Sequence, residues 1–230
     1  MDKLIEHLRN SDYCVVLTGA GVSTFSGIPD FRGSGGLYSS FDADKIFSFD
    51  YFLKDPSYFY SSSKDFIYNL DKKEPGSPHI VLAKLEAMGV VKSIITQNID
   101  MLHQKAGSQN IIEVHGSPKT HSCLNCGAKY DFEDIAARIW HNPEPPHCIK
   151  CGGLIKPDII FYGELLEKNT IEKALEEASR ADLIITIGTS LVVQPAASLP
   201  LYCLDNGGKI IIINNMDTPL EWYKYYLPAM

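Results

Sequence analysis

The sequence predicts an α/β fold, a doubly wound parallel sheet interrupted by a smaller inserted domain. Three observations carry this. Short, continuous apolar runs recur along the chain, the form taken by strands buried on both faces of a parallel sheet. Segments with helical spacing lie between them. Two stretches, 34–75 and 119–154, break the alternation, and the second holds two C-x-x-C pairs.

In chain order, the apolar, β-branched runs are 13–18 (YCVVLT), 91–96 (VKSIIT), 111–114 (IIEV), 157–162 (PDIIFY), 182–188 (DLIITIG) and 209–214 (KIIIIN). Each is bounded by turn residues and reads as a strand of the parallel sheet. Helical spacing covers 2–10, 77–88, 169–180 and 195–204. Asn169 or Thr170 is placed to cap the third helix, and Gly89 stands where the second ends. Residues 34–75 are rich in Ser, Phe, Tyr and Asp and contain no buried-strand pattern. The expected division is a large Rossmann-like unit, 1–33, 76–118 and 155–230. A helical module (34–75) and a cysteine module (119–154) form a small domain over the open end of the sheet.

A chain of 230 residues, 45% hydrophobic and 21% charged, has the composition of a soluble globular protein. Its net charge of −7 argues against a broad nucleic-acid surface. The amphipathic N-terminus lacks a signal-peptide core, and no apolar run approaches the ~20 residues of a membrane span. Cys14 and Cys203 sit alone in apolar segments, as buried thiols do in a reducing compartment. The expectations are therefore a cytoplasmic protein, neither nucleic-acid- nor membrane-bound. A monomer is the working expectation.

Cys123/Cys126 and Cys148/Cys151, each pair followed by glycine (Gly127, Gly152), match the two knuckles of a zinc ribbon. Four thiolates close a tetrahedral site and leave no position for a reactive water, so this metal is structural. Disulfides or a redox dithiol fit less well, because the pairs are duplicated and far apart. His121 and His147 flank the pairs as either substitute ligands or ordinary surface histidines.

The loop "GAGVSTFSGIPDFRG" (19–33) follows the first apolar run. Gly19-Ala20-Gly21 lets a backbone approach a pyrophosphate, yet Thr24 replaces the third glycine of the dinucleotide fingerprint. Asp30, Phe31 and Arg32 then bring an acid, an aromatic ring and a cation to the loop. Polar or small residues follow four further runs: Gln97-Asn98-Ile99-Asp100, His115-Gly116, Gly188-Thr189-Ser190 and Asn214-Asn215. In open α/β sheets ligands bind at the carboxyl ends of strands, so five such ends converging point to one ligand. A histidine has the right pKa for general-base work near neutrality, although on its own His115 reads more readily as a structural histidine than as a catalytic one.

"GAGVS", "GIPDFRG", "TQNID", "HG", the cysteine pairs, "FYGE" and "GTSLVVQPA", in this order, resemble the sirtuin family of NAD-dependent protein deacylases. The resemblance spans 13 to about 218. It implies an NAD-dependent protein-lysine deacetylase that releases nicotinamide and passes the acetyl group to ADP-ribose. NAD would be consumed as co-substrate, one structural zinc would be bound, and the partner would be an acetyl-lysine protein or peptide. The resemblance assigns Gly19, Ala20, Gly21, Ser23 and Thr24 to the phosphate and ribose side of NAD, with Asp30, Phe31 and Arg32 over the nicotinamide and phosphate. Gln97 and Asn98 would hold the ribose, Ile99 and Asp100 the nicotinamide, and Gly188, Thr189, Ser190, Asn214 and Asn215 the adenosine half. His115 would be the base, with Asn98 beside it in the catalytic site. Ile160, Phe161, Tyr162 and Gly163, facing Val192 and Val193, would sandwich the substrate backbone by strand addition.

Family members that remove succinyl groups carry a tyrosine and, three residues on, an arginine. Within Phe59–Lys64 the resemblance matches these to Tyr60 and Ser63, which implies deacetylation over desuccinylation. Sirtuins also run past the last strand into a short strand and helix that complete the adenine pocket, whereas this sequence ends with "TPLEWYKYYLPAM". Competing readings are ADP-ribosyl transfer or NAD hydrolysis in the same pocket, and a non-catalytic binding module.

Overall fold

The computed structural model describes residues 2–30, 36, 42–220 and 226–228. Among these described residues nine strands form two sheets. They are β1 (Cys14–Thr18), β2 (Val91–Thr96), β3 (Ile111–Glu113), β4 (Gly116–Cys123), β5 (Lys129–Asp131), β6 (Ile155–Ile159), β7 (Leu183–Ile187), β8 (Lys209–Asn214) and β9 (Tyr226–Pro228). The larger sheet has the order β3-β2-β1-β7-β8-β9 with every pairing parallel. Strand order reverses between β1 and β7, which is the switch point of a doubly wound sheet. β9 lies within the aromatic C-terminal stretch and pairs with β8 through Ile212–Tyr226 and Ile213–Leu227.

β1 has no exposed residue, and the inner strands carry Val, Ile and Leu on both faces. One face packs Val16, Ile94, Ile185 and Ile211 against α1 (Asp2–Arg9) and the longer helix Ser77–Ala87. The other packs Val15, Ile95, Ile184 and Ile212 against Lys168–Arg180 and Leu199–Asp205. Ser77–Ala87 ends at Gly89, whose φ of 73° closes the helix. Lys168–Arg180 is capped by the Glu167 carboxylate, which accepts from the N–H groups of Asn169 and Thr170, so those two residues donate to the cap instead of forming it. Among the described residues no helix is long and apolar enough to cross a membrane.

The smaller sheet, β5-β4-β6, is antiparallel. The apolar run 157–162 is thus not a parallel-sheet strand. β6 enters the small sheet beside β4, and its last residue, Ile159, and the continuation at Ile160, Phe161 and Tyr162 reach the cleft. The run reads as a strand because its alternate residues are buried, Ile159 and Phe161 each at 1% exposure, while Tyr162 is exposed. Short helices Ala43–Ile46, Phe49–Lys54 and Pro56–Ser63 and the helix Phe132–His141 surround this sheet. Phe52, Phe59, Tyr60, Tyr68, Ile135, Ile155 and Phe161 form one core that unites the helical and cysteine modules. Phe161 is central, with rings of Phe47, Phe52 and Phe59 at 6.1, 5.3 and 5.1 Å. Each such ring contributes about 1.5–3 kcal/mol by burial.

His121 is buried in this core, stacked on Tyr68 with its Nε2 3.1 Å from the Tyr68 hydroxyl. It is neither a surface residue nor a member of the cysteine cluster. His147 is exposed. Cys14 and Cys203 are both fully buried free thiols.

Candidate active site

The carboxyl ends of β1, β2, β3, β7 and β8 open onto one cleft of about 750 Å³, within the range of small-molecule sites. From β1, Gly19, Ala20, Gly21 and Ser23 line it, with Ile28, Pro29 and Asp30 beyond. β2 supplies Gln97, Asn98, Ile99 and Asp100, and β3 supplies His115. Gly188, Thr189 and Ser190 follow β7, and Asn214 and Asn215 close β8. Ile160, Phe161, Tyr162, Gly163 and Val193 form the flank. Thr24 lies off this wall, its hydroxyl donating 2.9 Å to the Gly21 carbonyl, and Val192 is exposed beside it. Phe31 and Arg32 lie outside the described residues.

The glycines answer to each other as well as to a ligand. Gly19 N–H donates to the Ile187 carbonyl at 3.0 Å, and Gly21 N–H to the Gly188 carbonyl at 2.9 Å. A Cβ on Gly188 would lie 2.6 Å from the Val22 nitrogen, and one on Gly21 would lie 2.7 Å from Gly188 Cα. The close approach that a third glycine makes in the dinucleotide fingerprint is made here by Gly188, from across the switch point. That pairing spans most of the chain and leaves no local pattern.

Behind the wall lies a buried polar network. Ser23 donates to Asp100 at 2.6 Å and accepts from Asn98 Nδ2 at 3.1 Å, while Asn98 also donates to the Gly19 carbonyl. Thr18 and Thr96, partners across β1 and β2, are joined at 2.9 Å, and His103 Nε2 lies 2.9 Å from Thr18 Oγ1. His79 Nε2 lies 3.4 Å from Ser23 Oγ and its ring packs edge-on against His103. Burial lowers the pKa of both, that of His103 to about 3. Neither histidine stands out in the sequence, because each sits in an ordinary helical stretch. Asp100 is flanked by Ile99 and Met101, whose side chains pack on the small-domain core, and Met101 holds φ at 62°.

His115 Nδ1 is 2.9 Å from the Gln97 carbonyl oxygen. A carbonyl can only accept, so Nδ1 carries the proton and Nε2 is the basic nitrogen. Burial holds the imidazole below its ordinary pKa, against a smaller opposite pull from that carbonyl. Near neutrality His115 is therefore an uncharged base in a cleft wall. Gln97 in turn donates to Thr189 Oγ1 at 2.8 Å, tying the β2 and β7 ends together.

The apolar side of the cleft includes Phe47, Phe66, Ile67 and Leu70 from the helical module, which has no readable register in sequence. Tyr60 and Ser63 are not there. Tyr60 is fully buried, donating 2.5 Å to the Ile155 carbonyl, and Ser63 is equally enclosed. The match to an acyl-recognising tyrosine and arginine therefore falls on core positions.

Away from the cleft, the Sγ atoms of Cys123, Cys126, Cys148 and Cys151 all lie within 4.8 Å of one another. Cys123–Cys151 and Cys126–Cys148 are 3.5 and 3.6 Å apart, and none is in a disulfide. Zn–S bonds of about 2.3 Å in a tetrahedron require S···S edges of about 3.8 Å. The knuckle N–H groups of Asn125 and Lys150 point at Cys123 and Cys148, and Tyr130 donates to Cys148 at 3.1 Å. These donors stabilise thiolates, and the four residues fit a zinc ion.

Residues 19–195 match the Sir2 family. The NAD-dependent protein deacetylase of Thermotoga maritima is 42% identical over 221 residues, 96% of this chain and 89% of that protein. NAD-dependent protein deacylase 1 of Archaeoglobus fulgidus is 43% identical, covering 95% and 88%. Among solved structures, Sir2 with deacetylated p53 peptide and 3′-O-acetyl-ADP-ribose is similar at a TM-score of 0.95 and 41% identity, over 100% of this chain and 93% of that one. A Sir2–p53 peptide–NAD+ structure is similar at a TM-score of 0.93 and 40% identity, over 100% and 92%. With its switch-point cleft, its four-cysteine cluster and these similarities along nearly its whole length, the chain belongs to the Sir2 family, the sirtuins.

Proposed function

We propose that this protein is an NAD-dependent protein-lysine deacetylase, acting in the cytoplasm on acetyl-lysine proteins or peptides. The observation that carries the reading is His115, a neutral base with its proton fixed on Nδ1, set in the same cleft as five strand ends and the Ile160–Gly163 segment. A pure binding module needs no base there.

NAD, when bound, supplies the electrophilic ribose carbon and the nicotinamide leaving group that the acyl transfer requires. Ala20, Gly21 and Ser23 would hold its phosphate and ribose side, and Gln97 and Asn98 the ribose hydroxyls. Ile99 and Asp100 would face the nicotinamide, and Ser190, Asn214 and Asn215 the adenosine half. Thr24, displaced from the wall, would act on the loop. Ser23, Asn98 and Asp100 already hold one another, so little rearrangement is needed to present them. His115 Nε2 would take the ribose hydroxyl proton. Phe161 and the Phe47–Phe66 wall would enclose the acyl-lysine and exclude water. The tetrathiolate zinc would hold the small domain together without touching substrate.

The test is nicotinamide release from NAD with and without an acetyl-lysine peptide. Peptide-dependent release with O-acetyl-ADP-ribose as product supports the reading. Peptide-independent release would indicate NAD hydrolysis, and protein-linked ADP-ribose would indicate transfer; either as the main outcome replaces it.

A further inference from the structure

Lys156 is a buried cation for which neither the catalytic reading nor the zinc cluster has a use. Its side chain is 7% exposed, on β6, directly beneath the segment that flanks the cleft. Its ammonium lies 5.9 Å from the centroid of the Phe49 ring and has four nearer partners. It pairs with the Glu164 carboxylate at 2.8 Å and donates to the carbonyls of Ile159 at 2.8 Å and Pro157 at 3.2 Å. It also sits 4.3 Å from the centroid of the Phe161 ring. The same Glu164 oxygen that meets Lys156 accepts the Phe161 N–H at 2.7 Å, and the Glu164 N–H returns to the Phe161 carbonyl at 3.0 Å. Residues 161–164 are therefore a closed turn with the ammonium at its centre.

We propose that Lys156 is a positioning residue for the acyl-peptide: through Glu164, the Ile159 carbonyl and the Phe161 ring, its buried ammonium sets the shape of residues 159–164, against which substrate is held. The inference rests on the deacetylase reading and names the group that shapes the peptide side of that site. Stability alone does not account for this cation. Burying an ammonium costs several kcal/mol of hydration, and an apolar residue of similar volume often serves the fold as well. Here the partner is not a remote surface acid but Glu164, which lines the cleft. The outer edges of the segment are fixed independently, by Ile160 N–H to the His115 carbonyl at 2.8 Å and Tyr162 N–H to the Phe47 carbonyl at 2.7 Å. Without the ammonium the segment stays attached, yet Glu164, already partly hydrated, turns to solvent and releases the Phe161 N–H. The turn then opens beside the place the acyl-lysine would occupy. The NAD side, built from β1, β2, β7 and β8, is untouched.

The experiment measures KM and kcat for NAD and for an acetyl-lysine peptide in wild type, Lys156→Met, Lys156→Arg and Glu164→Gln, with zinc content and circular dichroism as fold controls. In Lys156→Met the peptide KM should rise about tenfold or more, the scale of a lost charge-assisted hydrogen bond. Its NAD KM should stay within about twofold. Lys156→Arg should recover part of the loss, and Glu164→Gln should reproduce it. The double variant carrying Lys156→Met and Glu164→Gln should lose little more than either single variant, since both break one unit. If Lys156→Met fails to fold, Glu164→Gln decides, because its side chain is 22% exposed and tolerates the change. Unchanged peptide KM in folded variants, or NAD and peptide KM rising together, overturns the inference alone. Wild type without peptide-dependent nicotinamide release overturns the deacetylase reading and this inference with it.

Discussion

Gly188→Ala tests whether the switch point is held by direct backbone contact. Gly188 has φ of 62°, and a Cβ there would lie 2.6 Å from the Val22 nitrogen and 2.8 Å from Gly21 Cα. Gly89 is the internal control, with φ of 73° and nothing within 4 Å of its built Cβ. Both substitutions bear the left-handed cost of about 1–2 kcal/mol. Only Gly188→Ala also forces backbone apart, a further 1–3 kcal/mol or so by analogy with overpacked cores. For a chain of this size that difference corresponds to an extra fall in Tm of about 2–12 °C. Because the backbone that must yield is the Gly19–Gly21 wall, NAD KM should also rise tenfold or more in Gly188→Ala, on the order of the loss from a sub-ångström misplacement. It should not move in Gly89→Ala. Calorimetric melting and steady-state kinetics give both quantities. Equal losses in the two variants would refute the contact argument and leave only the cost of the left-handed backbone.

Five further outcomes are expected. His115→Ala should lower peptide deacetylation by about 10²–10⁴-fold with zinc content retained, and its survival would remove the base assignment. Since the neutral imidazole is the active form and burial keeps its pKa below 6.5, wild-type kcat/KM should fall only on the acid side, with an apparent pKa under 6.5. Chelation of zinc should melt the small domain, seen as loss of cooperative unfolding; an unchanged thermogram would contradict a structural metal. His103 binds its proton at about pH 3 when folded and near 6.5 when unfolded, so the unfolded chain holds more protons between these values. Its contribution to stability is thus complete above about pH 6.5 and is lost as pH falls toward 3; His103→Gln should flatten that slope in urea titrations. Acetyl peptide should be turned over well ahead of succinyl peptide, because the described cleft wall offers Phe47, Phe66, Ile67 and Leu70 and no arginine; comparable rates would sink this.

The parallel strands were legible because a strand buried on both faces is apolar over most of its length, as residues 14–17 of β1 are. The strand-end residues were legible for the complementary reason, since Gln97, Asn98 and Asn214 are polar where the apolar run stops. The cysteine knuckles depend only on local spacing. What failed depended on partners distant in the chain. The run 157–162 reads like a parallel-sheet strand because periodicity reports burial and not direction, whereas the strand is Ile155–Ile159 of the antiparallel sheet. Tyr60 has the residue type expected of an acyl contact, yet its hydroxyl is spent on the Ile155 carbonyl. Gly188 gains its meaning from Gly21 and Val22, far upstream.

The run Ile99-Asp100-Met101 belongs to two structures at once. Its middle carboxylate is part of the polar set around Ser23, while the half-buried residues on either side pack against the aromatic core next to the cysteine module. Asp100 consequently has no freedom of its own: its orientation is a readout of how well that second core is assembled. Linkage is reciprocal, so whatever grips Asp100 must also tighten the small domain, and whatever loosens that domain must weaken the grip. A metal with no part in the chemistry would then be felt at the cofactor through three consecutive residues.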